Sequence, residues 1–195
     1  MKNICVFGAS SNRIDQKYKD CAVELGSLLA KNGLGLVFGG GRLGLMGAVA
    51  KSVHAAGGHI IGVIPEKLNQ PGIAYEACDE LLVTATMHER KATMERLSSG
   101  FVVLPGGFGT LEEALEVITL AQLSYLSAPI VFLNVDGYYD PLVKQLALCV
   151  DAKFTNPAYM GLFRCAASAK EAIDQILNHT PPDLPDKMED ALKQQ

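Results

Sequence analysis

Short apolar runs alternate along the chain with longer stretches in which apolar residues recur every three or four positions. The short runs fall at 3–7 (Asn-Ile-Cys-Val-Phe), 34–38, 59–64, 80–84, 100–104 and 129–133, with a weaker one at 162–166. Most lack the alternation of a strand with one wet face, so they predict strands covered on both sides, as in a parallel sheet. The stretches between them predict helices near 16–32, 45–56, 87–98, 110–126, 140–152 and 168–178. Strand and helix in turn at this rhythm predict an α/β fold: a doubly wound, Rossmann-like, three-layer domain with a parallel sheet and right-handed crossovers. Segment 65–79 holds Pro71-Gly72, shows no clear period, and predicts a loop with a broken helix. The single domain is placed at 1–179. The proline-rich, polar tail at 180–195 is expected either to cap a neighbour or to stay disordered.

Composition narrows the function classes. The chain has 195 residues, 49% hydrophobic and 19% charged, with net charge −4. That balance argues against nucleic acid as a partner and against a polybasic membrane patch. No run approaches 18 apolar residues, so no membrane helix is expected. The run after Met1 is too short for a signal peptide. Five cysteines, an odd number without a C-x-x-C pair, suit a reducing cytoplasm better than a disulfide framework. The four histidines show no zinc-like spacing, so no metal site is expected.

The 19 glycines cluster in two turns. The first is Gly39-Gly40-Gly41-Arg42-Leu43-Gly44-Leu45-Met46-Gly47, after the second predicted strand. A helix N-terminus behind such a turn offers N–H groups and a positive dipole end, which suit a phosphate. It lacks Gly-Lys-Ser/Thr and is no Walker A loop. Its G-x-G-x-x-G, with Glu66 after the next strand, also admits a dinucleotide, and simple packing of the helix on the sheet is the plainest reading. The second turn is Leu104-Pro105-Gly106-Gly107-Phe108-Gly109-Thr110-Leu111-Glu112-Glu113. Two such turns at the carboxyl edge of a parallel sheet can hold a nucleotide or sugar phosphate between them.

Several charged positions admit both a structural and a functional reading. Thr110 and Glu113 fit a capping box, and Glu113 fits equally a carboxylate aimed at a ligand on the turn. Glu112 and Glu116 read as solvated, dipole-favoured acids. In Met87-His88-Glu89-Arg90-Lys91, Lys91 has Glu95 four residues on, a surface pair. Arg90 has no acid at helical spacing, so it is a candidate to bind a phosphate or a catalytic carboxylate. His88 reads as structural or as an acid/base.

The three motifs in this order resemble the LONELY GUY (LOG) family of cytokinin-activating phosphoribohydrolases, many of which were labelled lysine decarboxylase-like. The resemblance runs from about Ile4 to Ile176 and includes Ala121-Gln122-Leu123 and Asn134-Val135-Asp136-Gly137-Tyr138-Tyr139. It implies hydrolysis of the N-glycosidic bond of a nucleoside 5′-monophosphate, AMP or an N6-substituted relative, to free base and ribose 5-phosphate. It implies Arg90 and Glu113 as the catalytic pair. Lys91, Gly107, Phe108, Gly109, Thr110, Leu111, Glu112, Glu113 and Thr119 match nucleotide-contacting positions, with Ser10, Gly39, Gly40 and Gly41 assigned to phosphate. It implies a homodimer with the site near the interface, and neither a metal nor a redox cofactor. Relatives carry a substrate-contacting Glu about 18 residues before the motif Arg; here Gly72 stands there. In this scheme Arg90 keeps Glu113 ionised. The alternatives are a nucleotide- or dinucleotide-binding module without chemistry, and a decarboxylase. The latter needs a lysine aldimine with pyridoxal phosphate, and no lysine sits in either glycine turn.

Overall fold

The computed structural model describes residues 1–185, so the last ten residues of the expected tail lie outside it. Seven strands form one parallel sheet: β1 (Asn3–Phe7), β2 (Gly35–Phe38), β3 (Ile60–Pro65), β4 (Glu80–Thr84), β5 (Phe101–Val103), β6 (Ile130–Leu133) and β7 (Arg164–Ala166). Their order is β4-β3-β2-β1-β5-β6-β7, all neighbours parallel. The chain builds outward from β1 in one direction, then returns to build from β1 in the other. The switch point therefore lies between β1 and β5, where open α/β sheets bind ligands.

Six helices cover the two faces: α1 (Gln16–Lys31), α2 (Gly44–Ala55), α3 (Met87–Arg96), α4 (Phe108–Gln122), α5 (Asp140–Asp151) and α6 (Ala169–Leu177). Side-chain alternation along each strand sends residues to opposite cores. Ile4, Val6, Leu36, Phe38, Val102 and Leu104 pack with α1, α2 and α6. Cys5, Phe7, Val37, Phe101 and Val103 pack with α3 and α4. Both faces are covered, which is why the strands read as unbroken apolar runs.

Every predicted strand and helix is present, with shifts at the ends. The largest is in α4, which starts at Phe108 and stops at Gln122 instead of spanning 110–126. Segment 65–79 forms one 3-10 turn at Glu66–Leu68 and then a loop bridged to the first glycine turn, Gly41 to Ala74. Residues 180–185 begin the tail. Leu184 packs against the α3/α4 core, and the Tyr159 hydroxyl donates to the Pro185 carbonyl at 3.3 Å.

Candidate active site

The helix start decides what Glu113 does. Gly107 is the N-cap of α4, so Thr110 is its third residue and Glu113 lies in the second turn. The expected Thr110–Glu113 capping box does not form, because the helix begins two residues before Thr110. True boxes occur elsewhere. At α3 the Glu89 N–H donates to Thr86 Oγ1 at 3.1 Å, and Glu89 Oε2 accepts from the Ala85 N–H at 3.0 Å. At α6, Ser168 and Glu171 repeat the pattern.

Released from capping, Glu113 turns inward. Its Oε1 accepts a hydrogen bond from Arg90 Nη1 at 2.8 Å, with both side chains buried. Arg90 also donates from Nε to the Val63 carbonyl at 3.1 Å. Its guanidinium is thus fixed between the end of β3 and the start of α4. The third wall is Gly39: a Cβ there would land on Arg90 Nη2. Burial pushes the Glu113 carboxyl above its usual range, and the Arg90 cation pulls part of that shift back. Arg90 does lower the Glu113 carboxyl, but desolvation outweighs the cation and the net shift is upward.

A second rung lies beside the first. Lys91 pairs with Glu112, and with Glu116 at 2.8 Å. Consecutive cations on α3 thereby meet consecutive acids on α4. The expected Lys91–Glu95 surface pair is absent, and Glu116 is engaged in an ion pair instead of being merely solvated, because α3 and α4 pack close enough for Lys91 to prefer the other helix. Glu95 has no ion pair among the described residues. Burial, then Glu116 and Glu112, push its carboxyl up to about 7, against the pull of Lys91. Helical spacing on one element could not reveal this cluster.

The second glycine turn is held from behind. The Tyr138 hydroxyl donates to the Gly106 carbonyl at 2.6 Å, and Tyr139 to the Leu104 carbonyl at 2.7 Å. The Ala9 N–H donates to the Pro105 carbonyl at 3.1 Å. Thr110 lies buried against Gly106, where any Cβ would overlap it. Gly107, Phe108 and Gly109 stay exposed, and α4 has no side-chain cap. A helix leaves its first amides without intrahelical partners, so this turn offers N–H donors to the crevice. Neither tyrosine was singled out from the sequence for this task.

The first turn behaves differently. At α2 the Gly44 N–H donates to Asn12 Oδ1 at 2.8 Å and the Leu45 N–H to the Ala9 carbonyl at 2.8 Å. The Arg42 N–H goes to the Ile73 carbonyl, and the Gly40 carbonyl accepts from Tyr75. The free donors expected at this helix start are therefore taken at Gly44 and Leu45. Of the three glycines only Gly39 abuts Arg90, while Gly40 packs against Ile64 and Gly41 against Met46; Ser10 is exposed on the loop after β1. Thr119 is exposed farther along α4, bonded to the Leu115 carbonyl at 2.8 Å. Leu111 is half-buried. His88 is exposed. Gly72 is exposed at φ +82°, with nothing within 4 Å of a Cβ placed there.

Residues 46–176 match a family model described as "Possible lysine decarboxylase". The cytokinin riboside 5′-monophosphate phosphoribohydrolase LOG5 of Arabidopsis thaliana is 45% identical over 180 residues, covering 92% of this chain and 79% of that protein. The chain belongs to the LOG family. A probable cytokinin riboside 5′-monophosphate phosphoribohydrolase of Oryza sativa subsp. japonica, LOGL2, is 43% identical over 92% of this chain and 74% of its own. Among solved structures, the Moco carrier protein of Chlamydomonas reinhardtii superposes with a TM-score of 0.68 at 27% identity, over 90% of this chain and 97% of that one. This chain and that carrier share one fold. No helix among the described residues is long and apolar enough to cross a membrane.

Proposed function

We propose that this LOG-family chain hydrolyses the N-glycosidic bond of a nucleoside 5′-monophosphate, a cytokinin riboside monophosphate or AMP, releasing the base and ribose 5-phosphate. The observation that carries the proposal is the buried Arg90–Glu113 pair, one and a half helical turns below the uncapped start of α4. Five residues of helix rise about 7.5 Å, which sets the carboxylate below the phosphate-binding end of α4.

In this reading the amides of Gly107, Phe108 and Gly109 hold the phosphate, with Thr110 beside them and Ser10, Gly39, Gly40 and Gly41 along the rim. Phosphate binding positions C1′ over Glu113 and supplies remote binding energy. Cleavage builds oxocarbenium-like positive charge on the ribose. The Glu113 carboxylate stabilises that charge and takes a proton from the attacking water. Arg90 orients Glu113 and opposes its protonation. Leu111, Glu112 and Thr119 of α4 contact the nucleotide, with Lys91 reaching across from α3.

A homodimer belongs to the proposal. Phe108 is 94% exposed, and Leu115, Leu123 and Tyr125 also stand open on or just beyond α4. An apolar helix face of this kind, next to the site, suits a second copy of the chain. A reducing, cytoplasmic setting is consistent with five free cysteines.

The test is chromatography of the protein incubated with AMP and with N6-isopentenyl-AMP. Free base and ribose 5-phosphate from the wild type, lost in Glu113→Gln, support the reaction. Bound nucleotide without base release from either compound would replace it with a binding module of the carrier kind.

A further inference from the structure

A groove of about 490 Å³ runs between α1 and α2. It lies on the helix layer across the sheet from α3 and α4, so it is separate from the Arg90–Glu113 crevice. Its polar lining includes Asn12, Gln16, Lys19, Arg42 and Lys51, and no carboxylate. A smaller hollow of about 220 Å³ opens next to it, shares Arg42 and Lys51, and contributes a single acid, Glu76.

Lys19, Arg42 and Lys51 close no ion pair among the described residues, whereas Lys17, Arg90, Lys91 and Lys170 all do. The acids of α1 and its N-cap are Asp15, Asp20 and Glu24; none lines the groove, and Asp20 accepts from Gln16 at 2.8 Å. Three uncompensated cations in one groove are a local reversal of sign on a chain of net charge −4. Cations gathered in a concave site raise the local concentration of anions. The α2 helix start does not account for the site, because its Gly44 and Leu45 amides are already bonded.

We propose that this groove is a second anion site, which takes a di- or triphosphate group. Three cations, Lys19 on α1, Lys51 on α2 and Arg42 in the turn before α2, and a volume within the usual range of ligand pockets, exceed what one phosphate engages. The group can arrive as inorganic polyphosphate or on a nucleotide. The site is independent of the chemistry assigned to the crevice.

Titration calorimetry of the full chain with inorganic pyrophosphate and with ADP tests it, using wild type and Lys19→Glu/Lys51→Glu. Neither lysine belongs to the crevice, so base release from AMP is unchanged in the double variant. The wild type binds both probes, and the double reversal weakens each at least tenfold. Tighter binding of ADP than of pyrophosphate identifies a nucleotide as the source, and equal binding an inorganic one. If the double reversal fails to fold, Lys51→Gln alone weakens pyrophosphate severalfold. Absence of pyrophosphate binding at millimolar concentration overturns the site. So does equal affinity in wild type and variant, which would put the anion in the crevice.

Discussion

Gly39 and Arg90 occupy one space: the hydrogen that glycine carries in place of a side chain is what lets the guanidinium pass to Glu113. Gly39→Ala therefore displaces Arg90 while leaving the surrounding sheet in place. Turnover falls by about 10²-fold, the scale of a 1 Å misplacement in an active site. Base release from AMP and a melting curve check this; unchanged turnover would show that Arg90 has slack.

Arg90→Ala leaves Glu113 buried without its cation. Removing one partner of a buried pair costs about 3–5 kcal/mol. Its carboxyl then rises further above the usual range, so the acid limb of kcat/KM moves to higher pH. In Glu113→Gln the limb is absent and kcat falls by on the order of 10³. Matched pH–rate profiles of wild type and Arg90→Lys distinguish charge from shape: Lys keeps the charge but lacks the planar fork that reaches both Glu113 and the Val63 carbonyl.

Glu95 makes stability depend on pH in an unusual direction. Its carboxyl titrates near 7 in the fold, above an unfolded value of about 4.3. The folded state holds the proton more tightly, so its contribution to stability is full below the unfolded value and is lost as pH rises toward 7. Glu95→Gln raises the melting temperature at pH 8 and leaves it nearly unchanged at pH 4. An equal shift at both pH values would mean that Glu95 does not titrate in this window.

Tyr138→Phe removes the bond to the Gly106 carbonyl and frees the turn that offers amides to phosphate. One hydrogen bond is worth about 1 kcal/mol, or roughly 2–4 °C in a chain of this size. KM for AMP rises more than kcat falls, since the turn binds and does not react. Steady-state kinetics with AMP measure the split; a pure kcat effect would assign the tyrosine another role.

Leu115→Asp and Leu123→Asp place charge on the open face of α4. Sedimentation of the wild type gives a dimer, and either variant shifts toward monomer with weaker base release. A monomeric, active wild type would remove the second copy from the proposal.

The layered parallel sheet was legible because the inner strands are covered on both faces, leaving Ile4 to Phe7 or Leu36 to Phe38 uniformly apolar. Both glycine turns were legible for the same reason that they exist, namely backbone close to something else. What that something is was not. Arg90 occupies the space Gly39 leaves, and only the fold brings positions 39 and 90 together. The capping box at Thr110 misled because its spacing holds while the helix starts at Phe108. Lys91 misled because Glu95 is near in sequence, yet Glu112 and Glu116 are nearer in space.

The strand order also governs when a nascent chain can acquire this chemistry. Arg90 arrives on the segment that runs from β4, at one edge of the sheet, back to β5 beside β1. Everything before that crossing forms one wing, and Glu113 is made only with the other. A ribosome that has released residues 1–97 has exposed a cation with no counter-ion, and no local hairpin can supply one. Assembly of the pair waits on non-local closure, the slow step in such topologies. A protease that cuts between α3 and β5 separates the two charges and leaves neither fragment with the pair.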